Sequence, residues 1–170
     1  MTERLYYQDC YLREFRAQVV EAADGGRRVY LDRTAFYPTS GGQPFDSGTL
    51  GGARVIDVID EEERVAHILD RAITVGEVTG EIDWQRRFDH MQQHSGQHLL
   101  SAVLEELFKI PTVSFHLGMD VCTIDVTAPS LTTHQIDKAE ERCAEIVRDA
   151  RTNLRPAHVW CRKNFHVRFQ

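Results

Sequence analysis

The sequence predicts an α+β protein: a small antiparallel β-barrel over residues 1–84, followed by an α+β domain over 85–170. In the second domain a histidine-bearing helix should pack on an antiparallel sheet. Three observations carry this reading. The first half is a series of short apolar runs separated by glycine-rich or acidic turns, the pattern of a barrel or sandwich. Near Asp83-Trp84 the apolar period changes from two residues to that of a helix. Beyond that point two helical stretches bracket a strand pair.

Taken in order, Ala17 to Ala22 and Arg28 to Arg33 read as strands joined by Asp24-Gly25-Gly26, a strong hairpin turn. Arg54 to Ile59 and Arg64 to Leu69 form a second pair around the acidic turn Asp60-Glu61-Glu62-Glu63, and Val75 to Ile82 is a further strand. Residues 86 to 109 are helical, with Leu99, Leu100, Val103, Leu104 and Leu107 forming an apolar stripe. Val113 to His116 and Val121 to Val126 read as a hairpin across Leu117-Gly118-Met119-Asp120. Thr132, with Gln135 three residues on, marks the start of a second helix whose apolar positions are Ile136, Ala139, Cys143, Ile146, Val147 and Ala150. The tail from Ala157 to Phe169 reads as a strand pair, or as one strand with a turn at Lys163-Asn164.

Composition narrows the class. A 42% hydrophobic and 27% charged chain is ordinary for a globular protein. No apolar run reaches the roughly 20 residues of a membrane helix, and the first residues lack the apolar core of a signal peptide. Both features point to the cytoplasm. The four cysteines, Cys10, Cys122, Cys143 and Cys161, show no C-x-x-C spacing and suit free thiols better than a disulfide framework. The formal charge of −6 argues against indiscriminate nucleic-acid binding, yet Arg151 to Gln170 holds five basic residues and no acid. That tail reads equally as a local phosphate-binding edge or as a solvated surface.

His90, His94 and His98 recur at every fourth residue, which puts all three on one helix face. Two imidazoles one turn apart can grip a single metal ion, and zinc suits nitrogen donors. The same spacing also fits a solvated face that binds nothing. No Glu follows the first histidine of a pair, which argues against the familiar metalloprotease helix. Further ligands could come from His116, Cys122, Cys161 or His166, each of which reads more simply as a core or strand residue.

The second signal is the stretch Tyr37-Pro38-Thr39-Ser40-Gly41-Gly42-Gln43-Pro44, too rich in Gly and Pro for regular structure. Gly41 and Gly42 allow a close backbone approach, while Gln43 and the nearby Thr34 can each donate and accept hydrogen bonds. A tight inter-strand turn without a ligand explains the same residues.

Together these motifs resemble the alanyl-tRNA editing family, which comprises the editing domain of alanyl-tRNA synthetase and its freestanding AlaX-type relatives. The resemblance lies in Phe36-Tyr37-Pro38, Gly41-Gly42-Gln43, Asp46-x-Gly48, His94-x-x-x-His98-Leu99-Leu100 and Val113-Ser114-Phe115-His116-Leu117-Gly118. It implies a trans-editing hydrolase that cleaves the ester of mischarged tRNA, chiefly seryl-tRNA for alanine and also the glycyl form. It implies zinc on His94 and His98, a substrate pocket lined by Thr34, Gly41, Gly42 and Gln43, and tRNA as partner. The resemblance assigns no catalytic base. The family completes its zinc site with a Cys-x-x-x-His motif that this chain lacks, so residues 85–170 would form an editing domain incomplete at its C-terminal end. Two other classes compete: a tRNA-binding module without catalysis, and an unrelated metallohydrolase of small esters.

Overall fold

A computed structural model describes residues 1–118 and 121–149 and the backbone of Phe165–Phe169. The chain divides into two compact units, Met1–Phe88 and Asp89–Gln170.

The first unit is a β-barrel. Its strands in chain order are β1 (Glu3–Arg4), β2 (Glu14–Ala23), β3 (Arg28–Leu31), β4 (Arg33–Thr34), β5 (Gly48–Leu50), β6 (Ala53–Glu61), β7 (Arg64–Leu69) and β8 (Gly76–Ile82). Six of them pair in a ring, β2-β3-β7-β6-β5-β8 and back to β2. Every pairing in that ring is antiparallel. Alternation in the sequence produces this directly. In β2, Phe15, Ala17 and Val19 are buried while Glu14, Arg16 and Gln18 face out, as a period of two requires. Val29, Leu31, Phe36, Leu50, Val58, Val65 and Leu69 fill the interior. At Gly80 a side chain is excluded, because a Cβ there would stand 2.4 Å from the Phe15 ring.

The expected strands are present with shifted ends. The acidic turn contracts, since β6 runs to Glu61 and β7 begins at Arg64, with Glu62 at a φ of 61°. The pieces β1, β4 and β5 were not expected, being only two or three residues long. A segment that short shows no period.

The second unit holds most of α1 (Trp84–Phe108), β9 (Thr112–Leu117), β10 (Cys122–Val126), α2 (Thr133–Arg148) and β11 (Phe165–Phe169). Leu99, Val103 and Leu104 of α1 pack with Ile124 and Val126 of β10 and with Ala139 and Cys143 of α2. Leu107, Ile136 and Val147 lie outside the buried stripes, each about two-fifths exposed. The α2 start is a complete capping box: the Thr132 hydroxyl accepts from the Gln135 N–H, and the Gln135 side chain accepts from the Thr132 N–H.

One expectation about this sheet needs correction. β9 and β10 are antiparallel, but β11 lies parallel to β10, so the sheet is mixed, in the order β11-β10-β9. The physical reason is the connection. A strand that returns through a helix arrives parallel to the strand it left, and α2 stands between β10 and β11. The rest of the expected tail, residues 157–164, lies outside the described residues, as do Met119 and Asp120 of the β9–β10 turn. Among the described residues no helix is long and apolar enough to cross a membrane.

Candidate functional site

In the first unit, the loop between β4 and β5 is closed at its neck and tight at its tip. At the neck the Asp46 N–H donates to the Tyr37 carbonyl (3.0 Å), and the Tyr37 N–H donates to Asp46 Oδ2 (2.6 Å). The Asp46 carboxylate also accepts from Arg87 Nε at 2.8 and 2.9 Å, and from Arg87 Nη2. Arg87 donates further to the carbonyls of Ala35 and Cys10. Both side chains are buried, at 3% and 0% exposure. At the tip, Ser40 and Gln43 exchange two backbone hydrogen bonds of 3.0 and 2.9 Å. Gly41 and Gly42 between them have φ of 55° and 81°. A two-residue turn with both φ positive is the tight hairpin form that glycine favours. Both glycines are exposed and Gln43 is buried.

Thr34 is fully buried at the base of this loop. Its Oγ1 accepts from the Phe36 N–H (3.1 Å) and lies 2.8 Å from His67 Nε2. The other ring nitrogen, Nδ1, stands 3.4 Å from the Val29 carbonyl, which can only accept. This assigns the ring proton to Nδ1, so that the Thr34 hydroxyl donates to Nε2. Burial pushes the His67 pKa down to about 4, against a small opposing pull from the Val29 carbonyl. His67 is therefore neutral near pH 7. Nothing in the sequence marks this pair, because His67 sits within an apolar strand run with no other histidine nearby.

In the second unit the three histidines of α1 are not equivalent. His90 is buried, His94 is half-buried and His98 is exposed. His94 and His98 bring their Nε2 atoms to 2.9 Å, with ring centroids 4.8 Å apart. The His94 ring also lies edge-on to Phe115 of β9, at 6.1 Å. Burial lowers the His94 pKa, and the charge of His98 lowers it further. A lowered pKa favours neutral imidazole, the form that binds a metal.

The buried side of the same helix segment is polar. Gln93, at 1% exposure, accepts from the Cys122 thiol through Oε1 (3.4 Å), and its Nε2 has no hydrogen-bond partner among the described residues. Gln97 Nε2 and Thr112 Oγ1 both donate to Ser101 Oγ at 2.8 Å. On β9 and β10, Ser114 donates to the Asp125 carboxylate, whose Oδ2 is 3.8 Å from His116 Nε2. Gln93, Gln97, Ser101 and Asp125 were missed in the sequence. The first three carried one signal, polar residues recurring every four positions where a packed helix should be apolar, and Asp125 carried none.

Does this set suit zinc? At a Zn–N length of about 2.0–2.1 Å, tetrahedral geometry separates two nitrogens by about 3.3–3.4 Å. The observed 2.9 Å is shorter and is the length of a ring-to-ring hydrogen bond, so the two rings face one point and would part slightly to take two corners of a site. Among the described residues no group of three His, Cys, Asp or Glu could hold a metal ion. Cys122 is engaged by Gln93, and His116 pairs with Asp125. Cys161 and the side chain of His166 lie outside the described residues.

No protein-family model matches the chain. Among curated proteins it is 37% identical over 161 residues to "Alanyl-tRNA editing protein Aarsd1" of Rattus norvegicus, covering 85% of this chain and 39% of that protein. It is 37% identical over 164 residues to "Alanyl-tRNA editing protein AlaX-L" of Pyrococcus horikoshii, covering 86% and 39%. It is 47% identical over 111 residues to "Alanyl-tRNA editing protein AlaX-M" of the same organism, covering 63% and 50%. The chain thus spans from two-fifths to one half of the length of these relatives.

Proposed function

The chain belongs to the alanyl-tRNA editing family, and on that premise we propose that it deacylates mischarged alanine tRNA in trans in the cytoplasm, with seryl-tRNA as its main substrate and glycyl-tRNA as a second. The observation that carries this reading is the His94–His98 pair, whose two Nε2 atoms converge at 2.9 Å. These two imidazoles would hold zinc. The ion would supply a Lewis acid for the ester carbonyl or for the attacking water.

The chemistry is simple to state. Water adds to the ester carbonyl carbon, the bond to the ribose oxygen breaks, and that oxygen leaves with a proton. In this reading the second unit is the editing domain of the family, and the β4–β5 loop binds the aminoacyl end. Gln43 offers a donor and an acceptor to a seryl hydroxyl. Gly41 and Gly42 leave room for the substrate backbone, since a Cβ at Gly41 would meet nothing within 4 Å. The Thr34 hydroxyl already serves His67 and Phe36. Its place in the pocket therefore rests on its remaining lone pair, which can only accept.

Such a site answers a physical problem. Serine, alanine and glycine differ by so few atoms that one binding pocket separates them poorly, and a second hydrolytic site corrects the error.

A second reading has its own observation. Two nitrogens make half a tetrahedral site, and no third ligand joins them among the described residues. On that reading the chain binds tRNA without cleaving the ester. One experiment separates the two: hydrolysis of seryl- and alanyl-tRNA, both on alanine tRNA, with zinc and with a chelator. Loss of the seryl ester alone, stopped by the chelator, supports the editing enzyme. Retention of both esters alongside measurable tRNA binding supports the module.

A further inference from the structure

An acidic chain that binds RNA must do so where cations stand clear of carboxylates. In the first unit Arg4, Arg16, Arg28, Arg33, Arg54, Arg64 and Arg87 each lie within 4.0 Å of a carboxylate. Arg13 and Arg86 do not, among the described residues. Both instead rest on aromatic rings. The Arg13 guanidinium lies 4.3 Å above the Trp84 ring, and that of Arg86 lies 5.8 Å from Phe45. Trp84 stacks on Phe88 and has the exposed Tyr11 ring 5.7 Å away.

Trp84 and Arg86 are two residues apart on a helix and so point to opposite sides of it. Arg13 and Arg86 therefore flank the first turn of α1. Asp83, three residues before Arg86, is already committed: it accepts from Ser47 Oγ and from the Arg86 backbone N–H. Arg86 gives two of its N–H groups to the Phe45 carbonyl and keeps the others. Arg27 and Arg71 also lack a carboxylate among the described residues, but neither lies on an aromatic ring.

We propose that Arg13 and Arg86, held on Trp84 and Phe45, contact the sugar–phosphate backbone of the RNA substrate. Arg13 is exposed and Arg86 partly so, and a guanidinium clear of carboxylates attracts phosphate. This rests on the reading that the substrate is a tRNA, and goes beyond it by naming the face that binds.

The test is binding of the 170-residue chain to a transcript of alanine tRNA across a salt series. Each phosphate contact steepens the slope of log K against log salt by about 0.7–0.9. The Arg13→Ala/Arg86→Ala double variant should therefore flatten the slope by roughly 1.4–1.8 and weaken binding about 15–30-fold near 0.15 M salt. Arg13→Lys/Arg86→Lys keeps the charges and should keep most of the slope, which guards against a variant that merely misfolds. A double variant of carboxylate-paired cations, Arg16→Ala/Arg54→Ala, matches the change in net charge and should bind as wild type. Equal losses in both alanine pairs would overturn the patch, leaving a diffuse charge effect. Wild-type binding in Arg13→Ala/Arg86→Ala would overturn it while sparing the tRNA reading. No binding by the unaltered chain would overturn both.

Discussion

Replacing Asp46 by alanine should be among the most damaging single changes in the first unit. Arg87 is 3% exposed and has no other carboxylate partner among the described residues. Removing Asp46 leaves a guanidinium out of water with only the carbonyls of Ala35 and Cys10 as acceptors. It also orphans the Tyr37 N–H. Breaking a buried pair from one side costs about 3–5 kcal/mol, because the remaining charge is uncompensated. For a chain of this size that corresponds to a fall in Tm of roughly 6–20 °C. The assay is urea unfolding followed by far-UV circular dichroism, on Asp46→Ala, Asp46→Asn, Arg87→Met and the double variant Asp46→Ala/Arg87→Met. Asparagine keeps an acceptor and should cost less than alanine. The double variant removes both charges and should cost well under the sum of its parts. An Asp46→Ala protein within about 1 kcal/mol of wild type, or strict additivity in the cycle, would refute the argument that this clamp holds the loop.

Three other outcomes follow from the geometry. His94→Ala should abolish zinc uptake measured by atomic emission, and an unchanged stoichiometry would rule out a ligand role. Gln43→Ala should slow release of serine more than release of glycine in paired deacylation assays, since glycine presents no hydroxyl; equal losses would remove Gln43 from the pocket. His67 titrates near 4 when folded against 6.5 when free. The unfolded chain thus binds the extra proton between those values, and stability must fall as pH drops from about 6.5 to about 4. For one proton the loss amounts to roughly 3 kcal/mol. His67→Gln should flatten the wild-type curve over that window, and identical pH profiles would show that His67 is not the group responsible.

How much of this could be read beforehand depended on whether neighbours in space were neighbours in sequence. Phe15, Ala17 and Val19 announce a barrel strand because alternation is local. His94 and His98 announce a shared face because one helical turn joins them. The pairing of Arg87 with Asp46 is not announced: forty residues separate them, and the Asp46-x-Gly48 motif does not say which cation its carboxylate meets. His67 was hidden the same way, since only the folded barrel brings it to Thr34. The parallel placement of β11 was also illegible, because strand direction is set by the α2 connection and not by the strand's own residues. In α1, by contrast, Gln93, Gln97 and Ser101 were visible at four-residue spacing but were read past in favour of the leucines that follow.

The ring of six strands imposes an order in time. β8 is the last of them in the chain, and it alone joins β2 to β5. Until Gly76–Ile82 has been synthesised and has left the ribosome, β2 and β5 are both open edges able to pair with another nascent chain. Glu14 must then wait for Glu81, and Gly48 for Ile82. Closure of such distant pairs is slow, because loop entropy must be overcome before any contact repays it. A ribosome that pauses before residue 76 would therefore hold out an unfinished sheet, and one that pauses just after residue 82 has cleared would release a finished one.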